Sequence, residues 1–182
     1  NSIDSFGAAV SIGKKYAAVG SPDTATNKGS VTIFTLGDDG TLTQLQNIIG
    51  ASSENFGTQV HITGDDRYMF ATAPGSNRIY SYQYTTVSAI NTLTHTATGD
   101  ASEQTFALGF TPVSIDALYV LDANGKVYFA GSDFTISSQN ITFTAVPANA
   151  LKIVIRQQSY FSLTDTITVS GIGASDKLGT SF

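Results

Sequence analysis

The sequence contains no cysteine, and only 13% of its 182 residues carry a charged side chain. Without cysteine the chain can form no disulfide, no thiol nucleophile and no cysteine-ligated metal site. No apolar run approaches the ~18 residues that a membrane-spanning helix requires. Nine basic residues are scattered among fourteen acidic ones, so binding through nucleic-acid phosphates has little support. These deficits exclude thiol chemistry, and they predict that the protein binds neither nucleic acid nor a membrane.

Threonine, serine and glycine take the place of the missing charged residues. Threonine favours strands because its branched side chain packs well on a pleated surface, and 17 glycines are typical of many tight turns. A hydrophobic fraction of 41% is enough for a core, and a chain of this length suits one large or two small domains. The composition therefore predicts an all-β fold.

The sequence repeats itself after 50 residues. Residues 4–12 (DSFGAAVSI) match residues 54–62 (ENFGTQVHI), which aligns Phe6 with Phe56. Residues 16–22 match 68–74, and residues 31–34 match 79–82. Apolar and polar residues alternate in each unit, as they do in strands with one buried face. Four strands in about 50 residues are typical of one propeller blade.

A third start of this repeat lies at residues 172–180 (IGASDKLGT), where the sequence resembles residues 49–58. It comes about 70 residues too late for a simple third repeat, so we expect an insertion in the second one. Three segments are predicted: two blades over residues 1–85, an inserted β-sandwich over 86–163, and a return to the blades over 164–182. The last strand of the second blade is expected at residues 164–169, with residues 91–97 as the rival.

These motifs resemble the FG-GAP repeat of integrin-α-like β-propellers. The matching residues are Phe6-Gly7, the run 19–22 (VGSP) and the run 29–34 (GSVTIF). The resemblance implies propeller blades, here too few to close a ring. That family often binds calcium in a loop rich in aspartate, because calcium needs several carboxylate oxygens. The loop at residues 21–29 offers only Asp23, and the loop at 74–78 offers no carboxylate. We therefore predict neither a metal nor another cofactor.

The predicted insertion has a strand pattern of its own. Asn124-Gly125 between two apolar runs is a strong hairpin signal, and residues 133–136, 140–144 and 151–156 alternate as strands do. From 106 to 156 the sequence is similar to a module of phage tail-fibre and virion structural proteins. That resemblance implies a fibre or particle-surface component without catalytic residues. Phe106 could also begin a third repeat, although Ala107 stands where glycine is required.

Few side chains could carry catalysis. His61 lies between apolar residues of a strand and is expected to face solvent, while His95 lies in a threonine-rich linker without neighbouring metal ligands. A glycosidase needs two carboxyl groups ~5–9.5 Å apart across a cleft. Adjacent aspartates in turns more often only terminate strands. Such pairs are Asp38-Asp39 and Asp65-Asp66.

Three tyrosines, Tyr80, Tyr82 and Tyr84, alternate along one strand and therefore share one face. We expect this stripe to pack one blade against the next. The alternative is a surface on which sugar rings stack.

Two blades and the start of a third cannot close a propeller, which needs about four to eight. The chain is therefore expected to be a segment of a longer polypeptide, or to be completed by other copies. Apolar residues at open blade faces mark contacts. The candidates are Phe6, Val10, Val19, Phe56, Val60 and Phe70.

No residue is therefore assigned a catalytic, cofactor-binding or metal-binding role. The favoured hypothesis is a non-catalytic structural protein of a phage virion, in the tail, a fibre or the surface, that acts in assembly and in host-surface attachment. Its expected partners are other copies or other structural proteins of the same assembly, and a glycan or protein of the host surface. The alternative is a secreted bacterial adhesin or matrix protein, outside the cell or on its surface. A third hypothesis is the accessory region of a polysaccharide-degrading enzyme.

Overall fold

The computed structural model describes residues 5–23, 27–88, 91–97, 104–148 and 151–170. In these ranges the chain forms fifteen strands in four antiparallel sheets, with 3-10 helices at Pro74–Ser76 and Ile115–Ala117. Two compact units are present, residues 1–85 with 161–182 and residues 86–160. The strands are β1 Ala9–Ile12, β2 Tyr16–Ser21, β3 Ser30–Leu36, β4 Leu42–Ile49, β5 Val60–Ile62, β6 Tyr68–Ala73, β7 Arg78–Thr85, β8 Thr92–Thr96, β9 Thr105–Ala107, β10 Leu118–Asp122, β11 Val127–Tyr128, β12 Phe134–Ser137, β13 Asn140–Phe143, β14 Lys152–Gln157 and β15 Tyr160–Thr168.

The first unit contains two sheets of the same topology. The first sheet has the strand order β1-β2-β3-β4, and the second has the equivalent order β5-β6-β7-β15. Each sheet is a four-stranded antiparallel meander of the kind that forms a propeller blade. The predicted fold class is confirmed: the protein is all-β, with propeller-type blades that do not close a ring within the described residues, and with a small antiparallel β-sandwich inserted in the second blade.

The fourth strand of the second sheet is β15, which follows the insertion in sequence. It lies beside β7 in this sheet, and directly after its end the amide of Val169 donates to the carbonyl of Asn77, the residue before β7, at 2.9 Å. The rival segment at 91–97 is wrong for this position because β8 pairs with β14 instead. The strand begins at Tyr160, four residues before the predicted start. It begins there because Phe161 is fully buried in the core of the first unit.

The two sheets of the first unit pack face to face. Alternation places Val31 and Ile33 on the inner face of the first sheet, and Met69 and Ala71 on the inner face of the second. The amide of Ile62 in β5 also donates to the hydroxyl oxygen of Ser11 in β1 at 2.9 Å. The buried core of this unit comprises Ala9, Tyr16, Ala18, Val31, Ile33, Phe56, Val60, Ile62, Met69, Ala71, Ala73, Tyr82 and Phe161.

The second unit is a small sandwich with a separate core. Its sheets have the orders β11-β10-β14-β8 and β12-β13-β9. The predicted hairpin at Asn124-Gly125 joins β10 to β11, with Gly125 at a φ of 85°. Asp122 holds this turn by accepting the amides of Asn124 at 2.8 Å and Lys126 at 3.0 Å. The core consists of Phe106, Leu108, Leu118, Val120, Tyr128, Phe134, Ile141, Phe143, Ile153 and Ile155.

Two sequence-based interpretations of this unit need correction. Phe106 does not begin a third repeat, because it lies in β9 and pairs with Ile141. His95 is not in a linker: it lies in β8, where its ring stacks on Phe106 at a centroid distance of 3.9 Å. The threonine-rich segment forms a strand because its branched side chains suit a sheet edge. The expected third start at 172–180 lies outside the described residues.

We predict that Phe56→Ala will lower the free energy of unfolding by about 3–5 kcal/mol, the usual cost of removing a large buried aromatic side chain. Phe56 is 1% exposed between the two sheets of the first unit. Its repeat equivalent Phe6 is 62% exposed, so Phe6→Ala serves as the matched control and should cost less than about 1 kcal/mol. Chemical denaturation measures both values. Equal losses in the two variants would contradict the described packing.

Candidate functional site

The segment between β4 and β5, residues 50–57, lies between the two sheets of the first unit; we call it the Phe56 turn. Its backbone is bonded to both sheets. The amide of Gly50 donates to the carbonyl of Gly29 at 3.0 Å, and that of Phe56 donates to the carbonyl of Lys28 at 3.1 Å. On the other side, the amide of Gly57 donates to the carbonyl of Thr72 in β6 at 2.9 Å. The turn therefore connects the sheets through the backbone as well as through the Phe56 side chain.

A buried carboxylate organises the interior of the Phe56 turn. Glu54 is 4% exposed, and its Oε2 accepts the amide of Ala51 at 2.9 Å. Its Oε1 accepts the hydroxyl of Tyr80 at 2.8 Å and the Nη1 of Arg78 at 3.2 Å. Both partners come from β7, so the cluster ties the turn to the second sheet. In the sequence, Glu54 is marked only as the acidic position that the repeat shares with Asp4.

The neighbouring donors decide the charge state of Glu54. Burial acts to raise its pKa, but hydrogen bonds from the Ala51 amide, the Tyr80 hydroxyl and the Ser76 side chain, together with the charge of Arg78, outweigh burial, so the pKa lies below its ordinary value near 4.5. Burial also raises the pKa of the Tyr80 hydroxyl, which keeps it protonated and able to donate. Glu54 is therefore an ionised hydrogen-bond acceptor at neutral pH.

A cleft of about 240 Å³ opens beside this cluster. Its walls are mostly apolar, and Glu54 is the carboxylate that lines it. Both carboxylate oxygens already accept hydrogen bonds, so the cleft does not present the facing pair of carboxyl groups that glycoside hydrolysis requires. The lining includes Ile49, Glu54, Phe56, Arg78, Tyr80 and Leu163.

The paired aspartates have different environments. Asp39 lies in an exposed turn and accepts the amide of Thr41 at 3.0 Å, and Asp65 similarly accepts the hydroxyl of Thr63 at 2.6 Å. Asp66 is buried instead. Its Oδ1 and Oδ2 accept the backbone amides of Lys14 at 2.9 Å and Lys15 at 2.8 Å, both from the β1–β2 turn of the opposite sheet.

Asp66 therefore does more than terminate a strand. It adopts a φ of 60° and fastens the second sheet to the first. Sequence reasoning missed this role because the link joins residues about fifty positions apart, and no local pattern marks it. Gly13 on the opposite side is a partial signal, since a Cβ there would lie 1.9 Å from Asp66 Oδ1.

The three tyrosines of the stripe pack between the two sheets, in agreement with the expectation that they pack one blade against the next. The rings of Tyr80 and Phe56 meet edge to face at a centroid distance of 5.3 Å, and the ring centroids of Tyr84 and Tyr16 are 4.9 Å apart. Tyr82 is buried in the same core. His61 faces solvent as expected. In the described ranges no group of three or more histidine, cysteine, aspartate or glutamate side chains could hold a metal ion.

The outer face of the first sheet remains uncovered in the described part of the chain; we call it the open face. Phe6, Val10 and Ile12 are 62%, 56% and 66% exposed, whereas their repeat equivalents in the second sheet are 1%, 6% and 3% exposed. Those equivalents are Phe56, Val60 and Ile62. Exposed Leu42 and half-buried Val19, Phe34 and Leu36 extend the open face.

The expected list of residues at open faces is thus correct only in part. Phe6 and Val10 are exposed, but Phe56 and Val60 are buried between the sheets. The reason is that the second repeat turns this face toward the first sheet, which covers it.

In its described residues the protein therefore combines open propeller-type blades, in the first unit, with an inserted β-sandwich, in the second unit. No family model matches the chain, and no curated protein matches its sequence. Among the described residues, none of the helices combines the length and hydrophobicity that crossing a membrane requires.

We predict that Glu54→Gln will lower the free energy of unfolding at pH 7 by roughly 1–2 kcal/mol, because it weakens a buried, charge-assisted hydrogen-bond cluster. The folded-state pKa of Glu54 is depressed, so its contribution is present above its unfolded pKa and is lost as the pH falls through the folded pKa. The variant should therefore lose less stability than the natural chain between about pH 5 and pH 3.

Denaturation curves across this pH range are the measurement. Asp38→Asn is the matched control, because Asp38 lies in an exposed turn and the same change of charge should have little effect. Parallel pH profiles of the natural chain and Glu54→Gln would contradict the role of Glu54.

Proposed function

We propose that this chain is a non-catalytic structural protein of a virion, in the tail, a fibre or the particle surface, and that it acts in assembly and host-surface attachment. The observation that carries the proposal is the open face. Phe6, Val10, Ile12 and Leu42 are all more than half exposed. Soluble monomers rarely leave a contiguous apolar surface of this kind uncovered, and such surfaces mark sites of association.

The motif resemblances support a role of this type. The Phe-Gly turns of the first unit resemble those of FG-GAP repeats, and the inserted sandwich resembles modules of tail-fibre and virion proteins. Both resemblances belong to proteins that act through their surfaces. The partners proposed on this basis are further structural proteins of the same assembly and a glycan or protein of the host.

The chemistry of the first unit also favours binding over catalysis. Glu54 and Asp66 are buried carboxylates, and each is occupied by hydrogen bonds that hold the two sheets or the Phe56 turn together. An acid or base in catalysis must instead reach the proton of a bound substrate. These carboxylates are therefore assigned to the stability of the blades.

The alternative function is a secreted bacterial adhesin or matrix protein with integrin-like repeats. It is supported by the same strand order in the two blades and would use the open face for a neighbouring blade. An accessory region of a polysaccharide-degrading enzyme is the third candidate, with its catalytic groups elsewhere.

Immunogold electron microscopy of the source culture, with antibodies raised against the purified chain, tests the proposal. We expect gold on assembled virus particles, with labelling abolished when the antibodies are first absorbed with the purified chain. Gold confined to cell surfaces would contradict the virion proposal and favour the adhesin. Reactive protein found only in the medium, in a complex that cleaves polysaccharide, would favour the third candidate.

A further inference from the structure

Two glycines make room for the Phe56 turn: Gly20 in β2 and Gly29 directly before β3. A Cβ on Gly20 would lie 2.0 Å from the carbonyl oxygen of Gly57, and a Cβ on Gly29 would lie 2.1 Å from that of Phe56. Both distances are far below van der Waals contact with backbone atoms that cannot move aside. The turn can therefore approach this sheet only where these two positions lack a side chain.

The segment 5–7, which we call the Phe6 turn, has the same backbone shape as the corresponding part of the Phe56 turn. Gly7 and Gly57 have φ values of 90° and 85°, and the preceding Ser5 and Asn55 have 41° and 51°. Each glycine also donates its amide to its own sheet: Gly7 to the carbonyl of Gly20 at 3.1 Å, and Gly57 to that of Thr72 at 2.9 Å. The Phe6 turn thus has the same surface as the Phe56 turn. At Phe56 this surface is buried, whereas at Phe6 no described residue covers it.

The same hydrogen bonds show which residues of the second sheet correspond to the two glycines. Thr72 takes the position of Gly20, since each accepts the amide of its Phe-Gly turn. Gly20 pairs with Val31 and Thr72 pairs with Ile79, so the residue two before Ile79, Asn77, takes the position of Gly29. Both replacements carry a Cβ where the first sheet has none. The second sheet of another copy therefore lacks the room that a Phe-Gly turn needs.

We propose that the open face docks a further four-stranded blade that carries glycine at the positions of Gly20 and Gly29, and that the second sheet of another copy of this chain does not fill this place. The partner's inner face resembles that of the first sheet, with glycine at the two positions that the Phe6 turn approaches. This inference deepens the proposed function, because it names the chemistry of the neighbour that the open face accepts.

The sequence supplies a suitable probe. Residue 51 is the repeat equivalent of residue 1, so a second copy of residues 1–50 placed directly before residue 1 of the full chain preserves the repeat spacing. The added blade then offers its own glycines to the Phe6 turn. The matched control is the same extension with Gly20→Thr and Gly29→Asn in the added copy only, which reproduces the residues of the second sheet.

Phe6→Ala, in the original part of the chain, reports whether the added blade has docked. In the natural chain it should change the unfolding equilibrium constant only slightly. In the extended chain it should change that constant by about 150- to 5,000-fold, because Phe6 becomes buried as Phe56 is. In the control extension the effect should remain as small as in the natural chain. Chemical denaturation followed by circular dichroism measures all three.

Several outcomes would overturn the inference. One is an equal effect of Phe6→Ala in both extensions, and another is an added blade that stays unfolded beside a folded natural chain. Analytical ultracentrifugation of the natural chain gives a third: self-association that Phe6→Ser abolishes would make a second copy the partner. These experiments use purified protein, so their results do not depend on whether the antibodies label virions.

Discussion

The first unit depends on the seating of the Phe56 turn against two positions that lack a side chain, Gly20 and Gly29. Backbone atoms of the turn come so close to these glycines that no other residue fits without displacement. This approach lets Phe56 enter the space between the sheets, where it meets Tyr80 edge to face. A large aromatic side chain at such a place contributes apolar burial to both sheets at once.

The buried polar groups act in support of that contact. Glu54 satisfies the amide of Ala51 inside the turn and engages Tyr80 and Arg78 of the second sheet. At the opposite end of the strands, Asp66 accepts two amides of the first sheet. Burying a carboxylate costs free energy unless its oxygens accept hydrogen bonds. Here each buried carboxylate accepts hydrogen bonds from backbone amides and holds those segments of backbone in place. The two sheets are therefore held in one alignment by directional bonds at both ends and by apolar packing between them.

The insertion leaves this arrangement intact because it enters after β7 and returns at β15. The returning strand completes the second sheet and brings Phe161 into the core. Gln46 of β4 then binds the backbone of Phe161 twice, accepting its amide at 2.9 Å and donating to its carbonyl at 3.1 Å. The fourth strands of the two sheets are thereby connected although about 115 residues separate them in sequence. The inserted sandwich has its own core, so it can be accommodated without changing the packing of the blades.

Local patterns of the sequence determined the all-β class, the repeat, the hairpin at Asn124-Gly125 and the inward direction of the tyrosine stripe, because alternation and turn chemistry act between near neighbours. They also placed the last blade strand after the insertion, through the likeness of its flanking residues to the end of the first repeat. The threonine-rich segment around His95 resembles a linker in sequence because an edge strand has few apolar residues to mark it. Only the tertiary structure decided that Glu54 and Asp66 are buried ties and that Phe6 and Phe56, alike in sequence, differ in exposure. Burial depends on which sheet lies opposite, and that partner is set by contacts between residues far apart in the chain.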